Sequence, residues 1–324
     1  MERAKIPKLR VLATDFCDSK CVYCRPGGEG NLKCRKQSLD FEIAKDVAKA
    51  YRNLGGNSIK ITGGDPVFWS HLIEYVKYLK EELNYSCVEV ISRSVHISEI
   101  LNELKNSGLD ILNFSLDTIY EEKYSLITRK NDFNKYKEII CECANNFYCK
   151  INMVILPETT IKDIDEMINF CIENGIRELK LLDYIDDLNN DSSEKINQKP
   201  LFKKIYNKLS HMSKRESVEF QGGLGHPMNV YYLSERFKVI CKDASQGAWY
   251  CKKCLGCKRY PCHDALMALR VTPSNSFQLC LLNEKMHWNF NNANMCKQLD
   301  SIIENYQNAF FIGDNNEDNC VNPS

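Results

Sequence analysis

Between residues 9 and 212, short apolar runs of β character alternate one for one with longer amphipathic segments. That alternation constrains the fold more than any other feature of the chain. Residues 9–15 read as a strand. Residues 40–54 read as a helix, with Phe41, Ile43, Ala44, Val47, Ala48 and Tyr51 near helical spacing and Gly55-Gly56 to stop it. The unit repeats in 58–62 with 71–83, 88–92 with 97–106, 111–117 with 133–145, and 150–155 with 161–174. A sixth strand, 178–185, precedes a polar loop at 189–199 and a helix at 201–212. Strands that alternate with helices pair in parallel, so the expected fold is α/β, a partial (β/α)6 barrel of TIM type. After about residue 215 the pattern changes, and 221–296 is rich in Gly, Cys and aromatic residues. The expected division is a barrel over 1–215 and a Cys-rich C-terminal extension over 216–324, with a polar tail at 314–324.

The first strand runs into Cys17-Asp-Ser-Lys-Cys21-Val-Tyr-Cys24. Three thiolates on one short loop can hold three irons of a cubane [4Fe–4S] cluster. The fourth iron is then left open for chemistry, whereas an electron-transfer cluster normally takes four cysteines. A zinc knuckle, with Cys34 as fourth ligand, is the competing reading. Gly63-Gly64-Asp65-Pro66 follows the second strand, and its glycines let the backbone approach a ligand. Both loops fall at the C-terminal end of the barrel strands, where such barrels place active sites.

The C-x3-C-x2-C spacing resembles the signature of the radical S-adenosylmethionine (radical SAM) superfamily, and Tyr23 matches the aromatic usual before the third cysteine. The resemblance implies a cluster on Cys17, Cys21 and Cys24 whose open iron chelates SAM, and reductive cleavage of SAM to a 5′-deoxyadenosyl radical. It implies a low-potential reductant such as flavodoxin or ferredoxin. Gly63, Gly64 and Asp65 resemble the family's Gly-Gly-Glu-Pro edge against the SAM amino group, with Asp for Glu. Ser92 ends the third strand where relatives carry Thr or Ser near SAM, and Ser115 in Asn113-Phe-Ser-Leu-Asp117 matches a serine that binds the SAM carboxylate. For each serine a solvated strand end is the competing reading.

The order of segments is similar to that of the GTP 3′,8-cyclase family of molybdenum-cofactor biosynthesis, from Leu9-Arg10 to Cys280-Leu281. That family holds a second [4Fe–4S] cluster on three C-terminal cysteines. Here Cys251, Cys254, Cys257, Cys262 and Cys280 are the candidates; three ligands would leave a second open iron and four would close the cluster. A structural zinc site is the alternative, since C-x2-C pairs are also zinc ligands. The family grips its triphosphate with basic residues. Arg10, Lys60, Lys150, Lys180 and Arg270 stand at matching positions and would together suit a small anionic substrate. The departures are Ser58 for a lysine, Ala268 for an arginine, Thr128-Arg129 in place of Thr-Gly, and an end at Val-Asn-Pro-Ser324 without the family's two glycines. Lysine does not reproduce the bidentate grip of arginine on phosphate. These changes set the chain beside the cyclases rather than among them.

Forty-three basic residues balance 43 acidic ones, so no broad basic footprint invites nucleic acid. No apolar run is long enough to span a membrane. Seventeen cysteines without an N-terminal export signal favour cluster ligation over disulfides and a cytoplasmic, oxygen-sensitive setting. Cys87, Cys149 and Cys171 lie in apolar runs and read as small buried hydrophobes. His226 and His263 read as turn histidines. Three functions compete: a radical SAM enzyme acting by hydrogen abstraction on a small, nucleotide-like anion with cyclisation or rearrangement; a peptide-modifying radical SAM enzyme of the SPASM or twitch type; and a non-catalytic iron–sulfur or zinc protein.

Overall fold

The computed structural model describes residues 6–24, 36–184, 199–262, 266, 268–281 and 283–313. Cys34, Ile185, His263, most of the 189–199 loop and the 314–324 tail lie outside the described residues. Six strands follow one another through the barrel half: β1 (Leu9–Thr14), β2 (Ser58–Gly63), β3 (Cys87–Ser92), β4 (Ile111–Ser115), β5 (Tyr148–Ile155) and β6 (Glu178–Asp183). They are hydrogen-bonded in that order, and every neighbouring pair is parallel.

Alternation along the strands explains both faces. Leu9, Val11, Ala13, Ile59, Ile61, Val88, Val90, Leu112 and Phe114 are buried in the main apolar core. The residues between them, among them Arg10, Lys60, Glu89, Asn113, Lys150 and Lys180, make the inner face polar. The outer face is covered by α1 (Phe41–Asn53), α2 (Leu72–Lys77), α3 (Leu101–Asn106), α4 (Glu121–Thr128), α5 (Phe133–Ala144), α6 (Ile161–Glu173) and α7 (Lys199–Met212). Helix α1 starts at Asp40, whose carboxylate accepts the Ile43 N–H at 3.0 Å, and buries Ala44, Val47, Ala48 and Tyr51. Thr160 and Asp163 form a reciprocal capping box on α6.

Three segments differ from the sequence expectation. The helix expected at 71–83 is α2 followed by a π-helical turn, Tyr78–Glu82. The one expected at 97–106 begins as a 3-10 segment, Val95–Ile100, before α3. Helix α4 was not expected; it ends where Arg129 adopts a left-handed φ of 61°.

The chain beyond residue 215 extends the same sheet at both edges. β7 (Arg215–Phe220), β8 (Pro227–Tyr232) and β9 (Lys238–Lys242) follow, and β9 lies parallel against β6. After β10 (Ala248–Tyr250), strand β11 (Leu269–Val271) pairs in parallel with β1 on the opposite edge, continued by β12 (Ser276–Gln278) and β13 (His287–Asn289). The full order is β13-β12-β11-β1-β2-β3-β4-β5-β6-β9-β8-β7. Helix α8 (Met295–Gln307) leads to β14 (Phe310–Ile312), which pairs with β10 in a small second sheet. Cys149 and Cys171 are fully buried and Cys87 is half-buried. Among the described residues no helix is long and apolar enough to cross a membrane.

Candidate active site

The cysteine loop leaves the C-terminal end of β1 and is clamped from two sides. On one side lies the turn after β2. Gly63 has a φ of 137°, and a Cβ there would sit 2.2 Å from the Thr14 carbonyl oxygen; at Gly64 it would sit 2.2 Å from that of Phe16. The room made by the missing side chains is filled by the backbone of the cysteine loop. The Gly64 N–H donates to Thr14 O at 2.6 Å and the Asp65 N–H to Phe16 O at 2.8 Å. On the other side lies the end of α4: the Lys20 N–H donates to Thr128 O (3.1 Å) and the Val22 N–H to Ile127 O (2.9 Å). Cys17 and Cys21 are half-buried and Cys24 is exposed. Burial pushes the Cys17 thiol up to about 12 and raises that of Cys21, so ligation must displace protons.

Asp65 is almost fully buried and organises the turn after β3. Its carboxylate accepts from Ser92 Oγ (2.9 and 3.0 Å) and from the backbone N–H groups of Arg93 (2.7 Å), Ser94 (3.0 Å) and Val67 (3.2 Å). Burial pushes its pKa up to about 6, against these donors. The Ser92 hydroxyl is thus turned toward Asp65. Ser115 is half-buried, and its hydroxyl makes no hydrogen bond among the described residues.

Sequence reasoning missed Arg93 and Asp117. The Tyr23 hydroxyl donates to Asp117 Oδ2 at 2.7 Å and accepts from Arg93 Nη2 at 2.7 Å; Arg93 Nη2 also donates to Asp117 Oδ2 at 2.5 Å. Asp117 Oδ1 accepts the Val154 N–H at 2.9 Å. Asp117 was within reach, because it closes the Asn-Phe-Ser-Leu-Asp run; Arg93 carried no signal beyond its place after the third strand.

The barrel's inner face holds acids among its bases. Glu89 lies 2.8 Å from Lys60 Nζ and 3.8 Å from Lys150 Nζ, and it accepts from Asn113 Nδ2 at 2.7 Å. Burial alone would raise the Glu89 carboxyl, but Lys60 and Lys150 hold it well below the usual range. Glu178 lies 3.4 Å from both Lys150 and Lys238. Lys180 makes no ion pair among the described residues. Burial, then the charges of Lys60, Arg10 and Lys242, push its pKa well below the ordinary lysine value, against the opposing charge of Glu178. Arg10 pairs in register with Lys60 on one side and with the fully buried Arg270 on the other. A cleft of about 520 Å³ at the other end of the strands, lined by Tyr148, Arg177 and Lys238, lies away from the thiols.

The C-terminal cysteines gather around β10. Cys251 Sγ lies 3.9 Å from Cys254 Sγ and 3.8 Å from Met286 Sδ. Cys280 is near enough to raise the pKa of Cys254, and Cys254 and Cys262 pack on Ala248 and Tyr250. The Cys257 N–H donates to Cys254 O at 2.9 Å. A tetrahedral zinc site, with Zn–S near 2.3 Å, brings its sulfurs to about 3.8 Å of one another. Cys251 and Cys254 meet that spacing, but among the described residues no three Cys, His, Asp or Glu side chains form a single-ion group.

The N-terminal donor set fits an anionic cofactor assembly. Three thiols share one loop beside Arg93, which is 7% exposed and whose Nη1 is buried without a hydrogen-bond partner among the described residues. A family profile, the Radical SAM superfamily, matches residues 11–171. The chain belongs to that superfamily.

It is therefore a radical SAM enzyme, a class that carries a [4Fe–4S] cluster and uses SAM. It is 26% identical over 291 residues to the GTP 3′,8-cyclase of Clostridium botulinum (strain Hall), covering 87% of this chain and 83% of that one. It is 28% identical over 174 residues to the GTP 3′,8-cyclase of Alkaliphilus oremlandii, and this match spans 53% of the chain and about half, 54%, of the relative. Among solved structures, Streptococcus suis SuiB bound to its precursor peptide SuiA superposes with a TM-score of 0.63 at 14% identity, over 93% of this chain and 65% of that one. The structure of anSMEcpe with bound AdoMet superposes at 0.62 and 15% identity, over 93% and 82%. These likenesses show a shared fold. The radical SAM domain contains the three-cysteine loop, Asp65, Ser92, Arg93, Ser115 and Asp117; Lys180, Arg270 and the C-terminal cysteines lie beyond it.

Proposed function

We propose that this radical SAM enzyme ligates its cluster through Cys17, Cys21 and Cys24 and seats SAM along Gly63, Gly64, Asp65, Ser92 and Ser115, with Tyr23 beneath. The substrate is a small, nucleotide-like anion held in the barrel by Arg10, Lys60, Lys150, Lys180 and Arg270, and the reaction is a hydrogen abstraction leading to cyclisation or rearrangement. When bound, the cluster and SAM supply one-electron cleavage to a 5′-deoxyadenosyl radical. The observation that carries the reading is Lys180, a half-buried ammonium without an ion-pair partner among the described residues, set among Lys60, Arg10 and Lys242. An anion entering there relieves mutual repulsion and replaces lost hydration. A low-potential electron carrier is the expected partner, and a second [4Fe–4S] cluster on cysteines drawn from Cys251, Cys254, Cys257, Cys262 and Cys280 the expected companion.

Anaerobically reconstituted protein given dithionite and SAM should release 5′-deoxyadenosine, and the Cys17→Ala, Cys21→Ala, Cys24→Ala triple variant should not. Retained cleavage would refute the ligand assignment. GTP and a panel of smaller phosphates and carboxylates should accelerate cleavage in the wild type, with the gain lost in Lys180→Met.

A second reading, peptide modification, draws on Glu89 and Glu178. They neutralise much of the inner-face charge and so disfavour a triphosphate. The fold shared with peptide-bound SuiB accommodates it. Acceleration by short peptides and by none of the anions would decide for this reading.

A further inference from the structure

Arg93 is held by three separate stretches of the chain. Its backbone N–H is fixed by Asp65, and its Nη2 by Asp117 on one side and by Tyr23, the neighbour of Cys24, on the other. These contacts span 28, 24 and 70 residues of sequence. The other end of the fork, Nη1, is buried and has no hydrogen-bond partner among the described residues. A guanidinium carries five N–H donors in a rigid plane, and leaving some of them unmet in the interior is unfavourable. A position so firmly built implies an acceptor that arrives with the cofactors. Cys21 is a neighbouring thiol, close enough to feel the Arg93 charge.

We propose that Arg93 is a positioning residue that donates through Nη1 to an anionic atom of the bound cofactors and thereby sets how readily the cluster is reduced or how firmly SAM is held. The acceptor is a sulfur of the cluster and its cysteines in one arrangement, and the SAM carboxylate in the other. Both are charge-assisted contacts from the same N–H groups. Tyr23 and Asp117 aim the guanidinium through its Nη2. The inference rests on the assignment of the cluster to Cys17, Cys21 and Cys24.

The test uses full-length protein reconstituted anaerobically, wild type beside Arg93→Gln and Arg93→Lys. Iron content, the reduction potential followed by electron paramagnetic resonance, and the affinity for radiolabelled SAM are measured. Reduction adds negative charge to the cluster, so a nearby donor stabilises the reduced form and its loss lowers the potential. If the acceptor is a cluster sulfur, Arg93→Gln shifts the potential downward without SAM present. If it is the carboxylate, SAM affinity falls at least tenfold and the SAM-free potential stays. In either case Arg93→Lys, which keeps the charge, recovers part of the effect; a merely structural role would move neither the potential nor the SAM affinity of protein that keeps its iron. Wild-type potential and wild-type SAM affinity in Arg93→Gln overturn the proposal. Should Arg93→Gln fail to assemble a cluster, the same two measurements on Tyr23→Phe decide, because that change removes one of the two anchors of Nη2; no change there overturns the proposal. If the triple cysteine variant keeps all its iron, the cluster assignment fails instead.

Discussion

Replacing Gly64 with alanine should dislodge the cysteine loop. The added Cβ would lie 2.2 Å from Phe16 O, 2.5 Å from Phe16 C and 2.8 Å from Asp15 C. All three are backbone atoms, so no side-chain rotation relieves the overlap. Reaching ordinary contact near 3.5 Å requires a shift of about 1 Å between the ends of β1 and β2. Overpacking of this kind costs about 1–3 kcal/mol. The shift also strains the hydrogen bonds Gly64 N–H to Thr14 O and Asp65 N–H to Phe16 O, each worth about 1 kcal/mol. The total is about 3–5 kcal/mol, or about 4–7 °C in Tm for a chain of this size. Cys17 follows Phe16 directly, so the movement also spoils the relation of the three thiols. Thermal unfolding of the apo protein and iron content after anaerobic reconstitution should fall together. Gly256→Ala is the stability control, since nothing lies within 4 Å of its Cβ position. A Gly64→Ala protein with wild-type Tm and wild-type iron content would refute the reasoning.

Glu89→Gln strands Lys60 and Lys150 without their shared, 3%-exposed carboxylate and should cost about 3–5 kcal/mol at pH 7. The folded pKa of Glu89 lies below its unfolded value, near 4.3, so its contribution is present above that pH and lost as pH falls below it. Urea unfolding from pH 7 to pH 3 should show the wild-type and variant stabilities converging on the acid side; parallel curves would sink this account. Lys180→Met removes a cation whose charged form is disfavoured by burial and by its cationic neighbours. Its Tm at pH 7 should equal or exceed that of the wild type while affinity for the anionic substrate falls; a clear drop in Tm would show that the ammonium has a structural partner. Cys251→Ser with Cys254→Ser should lower iron from about eight to about four per chain while SAM cleavage persists. An unchanged iron content would remove the second cluster from these residues.

The βα order of the barrel half was legible because it is written in short-range periodicity. Leu9, Val11 and Ala13 repeat every second residue, and Ala44, Val47, Ala48 and Tyr51 return at helical spacing. The three-cysteine loop was legible for the same reason: its spacing is local. Helix α4 was not, since Glu-Glu-Lys-Tyr-Ser-Leu-Ile-Thr has too weak an apolar period to announce itself. It is nevertheless the element whose last carbonyls hold the loop. The role of Glu89 as counter-ion to Lys60 and Lys150, the pairing of Arg93 with Tyr23 and Asp117, and the insertion of β11 beside β1 were equally invisible. Each joins residues from different strands or distant loops, and nothing within a single local window specifies such partners. By itself the sequence determined which segments are strands, which are helices and where three thiols share a loop. Only the packed barrel decided which charges face one another across its interior, because curvature and register, not propensity, set those distances.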